Sequence, residues 1–393
     1  MATTLVVNPG SSSRKYALYC DGNLVLDLRF EDTQAGFEMC TRFSGGQQIC
    51  EPIKESQFSD AQALVADEVD KYLFRESAGS LGSVIVRVVA PGTYFQNHRV
   101  IDDEFIKKLQ ASGVSAPLHI PTILREIAGL KKHFKLAKLL AASDSAFHKT
   151  MPNKARCYSI DAVDARAHDL YRFGYHGLSV ASIVRRVHSV IGQDPERMIV
   201  CHIGSGASVT AVKAGRSVET TMGFSPTSGL PMSSRAGDLD AAALLELMRF
   251  KNLRLDDAEM YLNTRGGLAG LANEPDIRRL LDRRAQYDST AKQALEKFAY
   301  SIQQAIAAST VSLGGLDVLV LTATAAVRSA ELRHLILAEL SHLGIVVSPD
   351  RNNALVGSDG VVSVRNSQVK VVVMRTDEMG EMANIAYSLA GVE

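Results

Sequence analysis

Apolar residues fall along this chain in two rhythms: short alternating or unbroken runs, and longer stretches spaced three and four apart. The first rhythm predicts strands and the second predicts amphipathic helices. Leu5–Val7, Lys15–Tyr19 and Leu24–Phe30 read as a meander, with the small-residue turn Pro9-Gly10-Ser11-Ser12-Ser13 joining the first two. The pattern returns later, where Ile199-Val200-Cys201-His202-Ile203 runs into Gly204-Ser205-Gly206 and out through Ala207–Val212. Strand–Gly–strand is a common pattern taken singly. Here Gly10 aligns with Gly204 and Ser12 with Gly206, which predicts a duplicated fold with one hairpin in each half.

The remaining blocks alternate strand and helix. Ala61–Glu76 places Leu64, Val65, Val69, Tyr72 and Leu73 on one helical face, Ser83–Val89 reads as a buried strand, and Val180–Ile191 as a helix. A Gly/Ser/Pro-rich loop from Gly223 to Gly237 precedes the helix Ala241–Phe250. Leu295–Ser312 is a long, mostly apolar helix suited to the core or to a subunit contact. The end repeats strand then helix: Val318–Thr322 into Ala330–Leu343, and Val369–Met374 into Met382–Leu389. This is an α/β chain of mixed sheets, expected to form two similar domains with a cleft between them.

Composition narrows the class. A chain of 393 residues is long enough for about two domains with separate cores. Its 43 basic and 43 acidic residues cancel, which argues against nucleic acid or an anionic membrane as partner. Neither a signal peptide nor a run of the roughly 20 apolar residues needed to span a bilayer is read from it. Five cysteines (Cys20, Cys40, Cys50, Cys157, Cys201), odd in number and without a CxxC, predict reduced thiols in a cytoplasmic enzyme. The histidines lack metal-ligand spacing, so any metal should be of the oxygen-ligand kind.

Several side chains could do chemistry. The first turn can aim backbone N–H groups and hydroxyls at an anion, beside the positive Lys15 and the neutral oxygen of Asn8. Arg87, inside Val84-Ile85-Val86-Arg87-Val88-Val89, is costly to bury unless it meets an anion; an edge strand with the guanidinium in water is the other reading. Arg235, in the long small-residue loop, suits an anion clamp. Asp144 ends a possible strand and could serve a metal or substrate, or cap a helix. His119 and His176 stand between turn formers, and Glu378 begins the last helix, where acids are also favoured by the macrodipole.

Together these segments resemble the acetate kinase family, within the sugar kinase, Hsp70 and actin superfamily. The likeness runs through Asn8-Pro9-Gly10-Ser11-Ser12-Ser13-Arg14-Lys15, Arg87-Val88-Val89, Ala116-Pro117-Leu118-His119, Asp144-Ser145-Ala146-Phe147-His148 and Phe173-Gly174-Tyr175-His176-Gly177. It continues through Cys201-His202-Ile203-Gly204, Ser217-Val218-Glu219-Thr220-Thr221-Met222-Gly223-Phe224 and Asp276-Ile277-Arg278. The resemblance implies two duplicated actin-like, ribonuclease H-like domains, residues 1–145 plus 380–393 and residues 146–379. It implies phosphoryl transfer between ATP and acetate with magnesium, in a cytoplasmic homodimer.

Carried over by position, Asn8 and Glu378 organise the metal, while Ser11, Ser13 and Lys15 stand by the donor phosphates. His202, Gly204, Ser205 and Gly206 form the second phosphate hairpin, and Asp276, Ile277 and Arg278 match an adenosine-contacting segment. Arg87 and Arg235 hold the acetyl-phosphate end, His176 donates to the transferring phosphoryl group, and Asp144 is an essential acid. Val89, Leu118, His119, Tyr175 and Pro226 line the acyl pocket, with Tyr175 where phenylalanine is usual. Acetate is already ionised, so Asp144 is expected to orient Arg87 or a metal-bound water rather than to take a proton.

The departures gather on the donor side. The family's Gly-Ile-Gly-Glu-Asn loop is replaced by Thr324-Ala325-Ala326-Val327-Arg328, Ser205 stands for asparagine, and Ser233 for glycine. Loss of both glycines adds bulk and restricts positive φ where backbone approaches the ligand. Thr324, Ala326 and Arg328 therefore raise pyrophosphate as an alternative donor, and a non-catalytic acyl-phosphate sensor as a further alternative.

Overall fold

Backbone hydrogen bonds gather the strands into two sheets laid out on one plan. The computed structural model describes residues 2–10, 13–33, 35–77, 79–114 and 120–391. The first sheet comprises β1 (Thr3–Pro9), β2 (Ser13–Cys20), β3 (Asn23–Thr33), β4 (Gly36–Phe43), β5 (Ile49–Ile53), β6 (Ser83–Val88), β7 (Arg99–Val100) and β8 (Lys138–Ser143). Their order is β5-β4-β3-β2-β1-β6-β8-β7. The second comprises β9 (Arg197–Ile203), β10 (Ala207–Lys213), β11 (Arg216–Thr220), β12 (Val318–Thr322), β13 (Gly360–Val361) and β14 (Lys370–Met374), in the order β11-β10-β9-β12-β14-β13. In both, an antiparallel meander leads to two parallel strands and closes on a short antiparallel edge. The duplicated α/β fold expected from the two hairpins is present.

The chain divides into two compact units, Met1–Ala146 with Asp377–Glu393, and Phe147–Thr376. In the first unit, Leu5, Val7, Val84 and Val86 share a core with Val65, Val69, Ile123 and Ile127 of the helices Ala61–Arg75 and Ile120–His133. Val6 and Ile85, pointing the other way, are equally buried, and the helix Glu378–Ala390 packs on β1 and β6. Cover on both faces explains why these strands are apolar without alternation. In the second unit, Val180, Ile183 and Val187 of the helix Gly177–Ile191 meet Met198, Val200, Val318, Val320 and Val372. The helix Ser289–Leu313 packs on β9 and β10 and buries Leu295, Phe298, Ile302 and Ile306. Each such side chain contributes about 1.5–3 kcal/mol by leaving water.

Several sequence expectations are corrected. The long helix begins at Ser289 rather than Leu295, because the Asp288 carboxylate accepts from the N–H groups of Thr290 and Ala291 and caps it early. The helix from Ala330 ends at Leu337, followed by a short 3-10 turn at Ser341–Leu343. Thr324–Arg328 is a short helix, not a loop. The five cysteines are not all reduced: the β4–β5 register sets Cys40 directly opposite Cys50, and the two are joined, leaving Cys20, Cys157 and Cys201 as thiols. Among the described residues, no helix is long and apolar enough to cross a membrane.

Candidate active site

In the first unit the parallel strands β1, β6 and β8 end side by side, and open α/β sheets bind ligands at such carboxyl ends. Asn8 lies near the end of β1, paired with Lys15 of β2. Arg87 lies near the end of β6, a strand paired on both sides, so the edge-strand reading falls. Asp144 follows β8, its N–H bonded to the Val88 carbonyl at 2.9 Å. The Arg87 guanidinium donates to Asp144 Oδ2 at 3.0 Å and, through its other terminal nitrogen, to Glu378 Oε2 at 3.1 Å. Glu378 is set there by its helix, whose first turn is capped by the Asp377 carboxylate accepting from the Gly380 N–H.

Asp144 is only 1% exposed, so this is a buried ion pair held to a second carboxylate. Burial pulls the Arg87 pKa down, but Asp144 and Glu378 outweigh it and hold the guanidinium above its ordinary value. Among the described residues its buried Nε has no hydrogen-bond acceptor. Val89 is half-buried just past β6, Ser13 opens β2 and Lys15 reaches solvent. Gly10 must be small, because a Cβ there would lie 2.6 Å from the Ser13 carbonyl oxygen. Ser11, Leu118 and His119 lie outside the described residues.

The second unit assembles another cluster around the β9–β10 hairpin. His176 precedes the helix Gly177–Ile191 in a left-handed conformation, and its Nδ1 shares a hydrogen bond with Ser208 Oγ at 3.0 Å. Its ring stacks on that of His202 with centroids 4.0 Å apart, and His202 Nδ1 is tied to Ser179 Oγ at 2.8 Å. The Ser233 N–H donates to the Ser205 carbonyl at 3.1 Å, stitching the arginine loop to the hairpin. Arg235 Nη1 donates to the buried Pro226 carbonyl at 3.3 Å.

Gly206 marks where these groups converge. A Cβ added there would sit 3.1 Å from His176 Cε1 and Nε2 and 3.8 Å from Arg235 Nη1. The glycine lets the hairpin backbone pack directly against the imidazole, with the guanidinium close by, so two anion-binding side chains border the turn.

Other expected residues take plainer positions. The Tyr175 hydroxyl donates to the Phe224 carbonyl at 2.6 Å, which occupies the group that distinguishes it from phenylalanine. Asp276 caps the helix Ile277–Ala285, accepting from the Arg278 N–H and guanidinium; Ile277 is buried, and the Arg278 side chain is largely exposed. The same hydrogen bonds from Arg278 hold the Asp276 carboxyl below its usual range. Thr324 and Arg328 are exposed, whereas Ala326 is turned into the core. Ser208 and Ser179, which orient the two imidazoles, were missed by sequence reasoning. Their partners depend on strand register and helix phase, with no local motif to mark them.

The sequence profile of the acetokinase family matches residues 3–384. The chain is 36% identical over 391 residues to an acetate kinase of Clavibacter michiganensis subsp. michiganensis, covering 98% of each protein. Its structure is similar to that of an acetate kinase from Porphyromonas gingivalis, with a TM-score of 0.86, 28% identity and coverage of 99% of this chain and 100% of the other. It is likewise similar to a propionate kinase from Francisella tularensis subsp. tularensis SCHU S4, with a TM-score of 0.88, 27% identity and 98% coverage of both.

Proposed function

The chain belongs to the acetokinase family, and from that premise we propose that it moves a phosphoryl group reversibly between ATP and acetate, giving acetyl phosphate and ADP. It is a phosphotransferase with a carboxyl group as acceptor. The observation that supports the mechanism is that the His176 imidazole and the Arg235 guanidinium both border the hairpin turn at Gly206. Phosphoryl transfer is catalysed by positioning and charge stabilisation more than by covalent help, and an imidazole and a guanidinium supply both. We assign His176 and Arg235 to the transferring group and Arg87 to the acyl-phosphate anion.

Asp144 acts through Arg87, whose guanidinium it orients by a 3.0 Å hydrogen bond. Acetate needs no base to become a nucleophile, so nothing in the reaction requires Asp144 to take a proton. Asn8, Asp144 and Glu378 offer an all-oxygen donor set of the kind magnesium takes, and Asn8 and Glu378 would hold the ion. Bound there, it would neutralise charge on donor phosphate oxygens. The hairpin residues His202, Gly204, Ser205 and Gly206, with Ser13, Lys15, Thr324 and Arg328, belong in this reading to the donor side. Asp276 and Arg278 would face the nucleotide.

Pyrophosphate as donor and a sensor without turnover are not favoured, since the relatives above are named as kinases. The neutral charge balance gives no support to nucleic acid or a membrane surface as partner. A cytoplasmic location is proposed from the nucleotide donor, the cysteine argument having lapsed with the Cys40–Cys50 bond. A homodimer is proposed because the helix Ala241–Lys251, rich in alanine and leucine, buries none of its residues within this chain.

Acyl-phosphate formation from ATP tests the substrate reading, with acetate, propionate and butyrate compared. We expect kcat/KM to fall from acetate or propionate to butyrate, by about tenfold or more for the last methylene. Absence of product with both short acids would overturn the assignment.

A further inference from the structure

Arg333, on the helix Ala330–Leu337, is a fully enclosed guanidinium at 0% exposure. Among the described residues no carboxylate lies within ion-pair distance of it. All five of its N–H donors nevertheless find oxygens. Nε donates to Asn352 Oδ1 at 2.7 Å, Nη1 to the carbonyls of Ala326 and Val327 at 2.8 and 3.2 Å, and Nη2 to those of Asn352 and Leu355 at 2.6 and 2.7 Å. Burial without a counter-ion lowers its pKa to about 10, which leaves it charged at neutral pH. Enclosing a cation this way is costly, and only charge-assisted hydrogen bonds of good geometry offset the cost.

Two of those carbonyls belong to the short helix Thr324–Arg328, where this chain departs from the glycine-rich pattern. The turn into that helix runs through Ala323 at φ 68°, ψ 172°, a region ordinarily left to glycine. Such a conformation persists only where its surroundings over-determine it. Ala323 also lies against the phosphate hairpin, since a Cβ on Gly204 would sit 3.6 Å from the Ala323 methyl carbon.

We propose that Arg333 is a positioning residue for the phosphoryl donor, clamping the turn and helix 323–328 against the Gly204–Gly206 hairpin so that the donor meets a preformed backbone. The proposal rests on the reading of Thr324–Arg328 as donor-side. A guanidinium is required because its planar fork reaches four carbonyls and an amide at once, whereas a lysine has three donors and no fixed fan. Positive charge at the carbonyl end of the short helix is also the favourable sign.

The test compares Arg333→Lys, Asn352→Ala and Thr324→Trp with the parent enzyme, measuring kcat and the KM values for ATP and for acetate beside thermal unfolding. Arg333→Lys is expected to raise KM for ATP by about tenfold or more while KM for acetate stays within about twofold. Asn352→Ala, which removes one of the five acceptors, should show the same split at smaller size. It carries the test if the lysine variant fails to fold. Thr324→Trp probes the donor-side reading itself and should raise KM for ATP alone. If Thr324→Trp does so while the Arg333 and Asn352 variants lose only thermal stability, with both KM values unchanged, the clamp is overturned and the donor side stands. If Thr324→Trp leaves KM for ATP unchanged, the donor-side reading fails, and the proposal with it.

Discussion

Gly206 is the position where a single added methyl would be felt most directly, because the His176 ring packs against it. Its φ is not in the left-handed region, so alanine there adds a methyl without straining the backbone. The methyl would press on the His176 ring at 3.1 Å, so the imidazole must shift, and it would lie 3.8 Å from Arg235 Nη1. Gly206→Ala should lower kcat by about 10²-fold, comparable to losing one oxyanion donor, with thermal stability nearly unchanged. Steady-state kinetics with calorimetry would check this, and near-parent kcat would remove the placement of the His176 ring from the mechanism. Residues of this kind were legible where chemistry contradicts surroundings. Arg87 stands out because a cation interrupts an apolar run, and the structure gives it two carboxylates. Tyr175 was legible as a position but not as a group, because its hydroxyl turns to the Phe224 carbonyl, a contact no local pattern encodes.

At the scale of elements, hydrophobic rhythm located β12 and the helices Ala61–Arg75, Gly177–Ile191 and Ala241–Lys251 to within a few residues, but left the helices Asp103–Ala111 and Ile120–His133 unmarked. It missed β5, which is mostly exposed and carries no alternation, and therefore also the Cys40–Cys50 pairing that β5 makes possible. It misread Thr324–Arg328 as a loop, since five residues are too few to show a helical period and Arg333 of the next helix holds them through their carbonyls. The helix Ala241–Lys251 is the reverse case, an apolar element that finds no core in its own chain. Phe250 is 84% exposed and Leu255, just beyond it, 79%. We expect a second copy to cover this face. Phe250→Glu with Leu245→Glu should shift sedimentation from dimer to monomer at micromolar concentration, and an unchanged dimer would place the subunit contact elsewhere.

For the whole molecule, duplication was the most readable feature, because each half repeats a strand, a turn of small residues and a returning strand. Gly10 and Gly204 do follow the first strands of their hairpins, β1 and β9, and the sheets around them share one strand order. What the chain could not reveal is how the short helix Thr324–Arg328 is supported. That depends on Arg333 and Asn352, which meet only in the folded second unit. The central claim, phosphoryl exchange between an acyl phosphate and a nucleotide, is tested most directly by supplying purified protein with acetyl phosphate and magnesium. ADP and inorganic phosphate are then compared as acceptors. Rapid ATP formation with ADP, and no comparable turnover with phosphate, is the expected result. Pyrophosphate formation from phosphate, with no ATP from ADP, would contradict it.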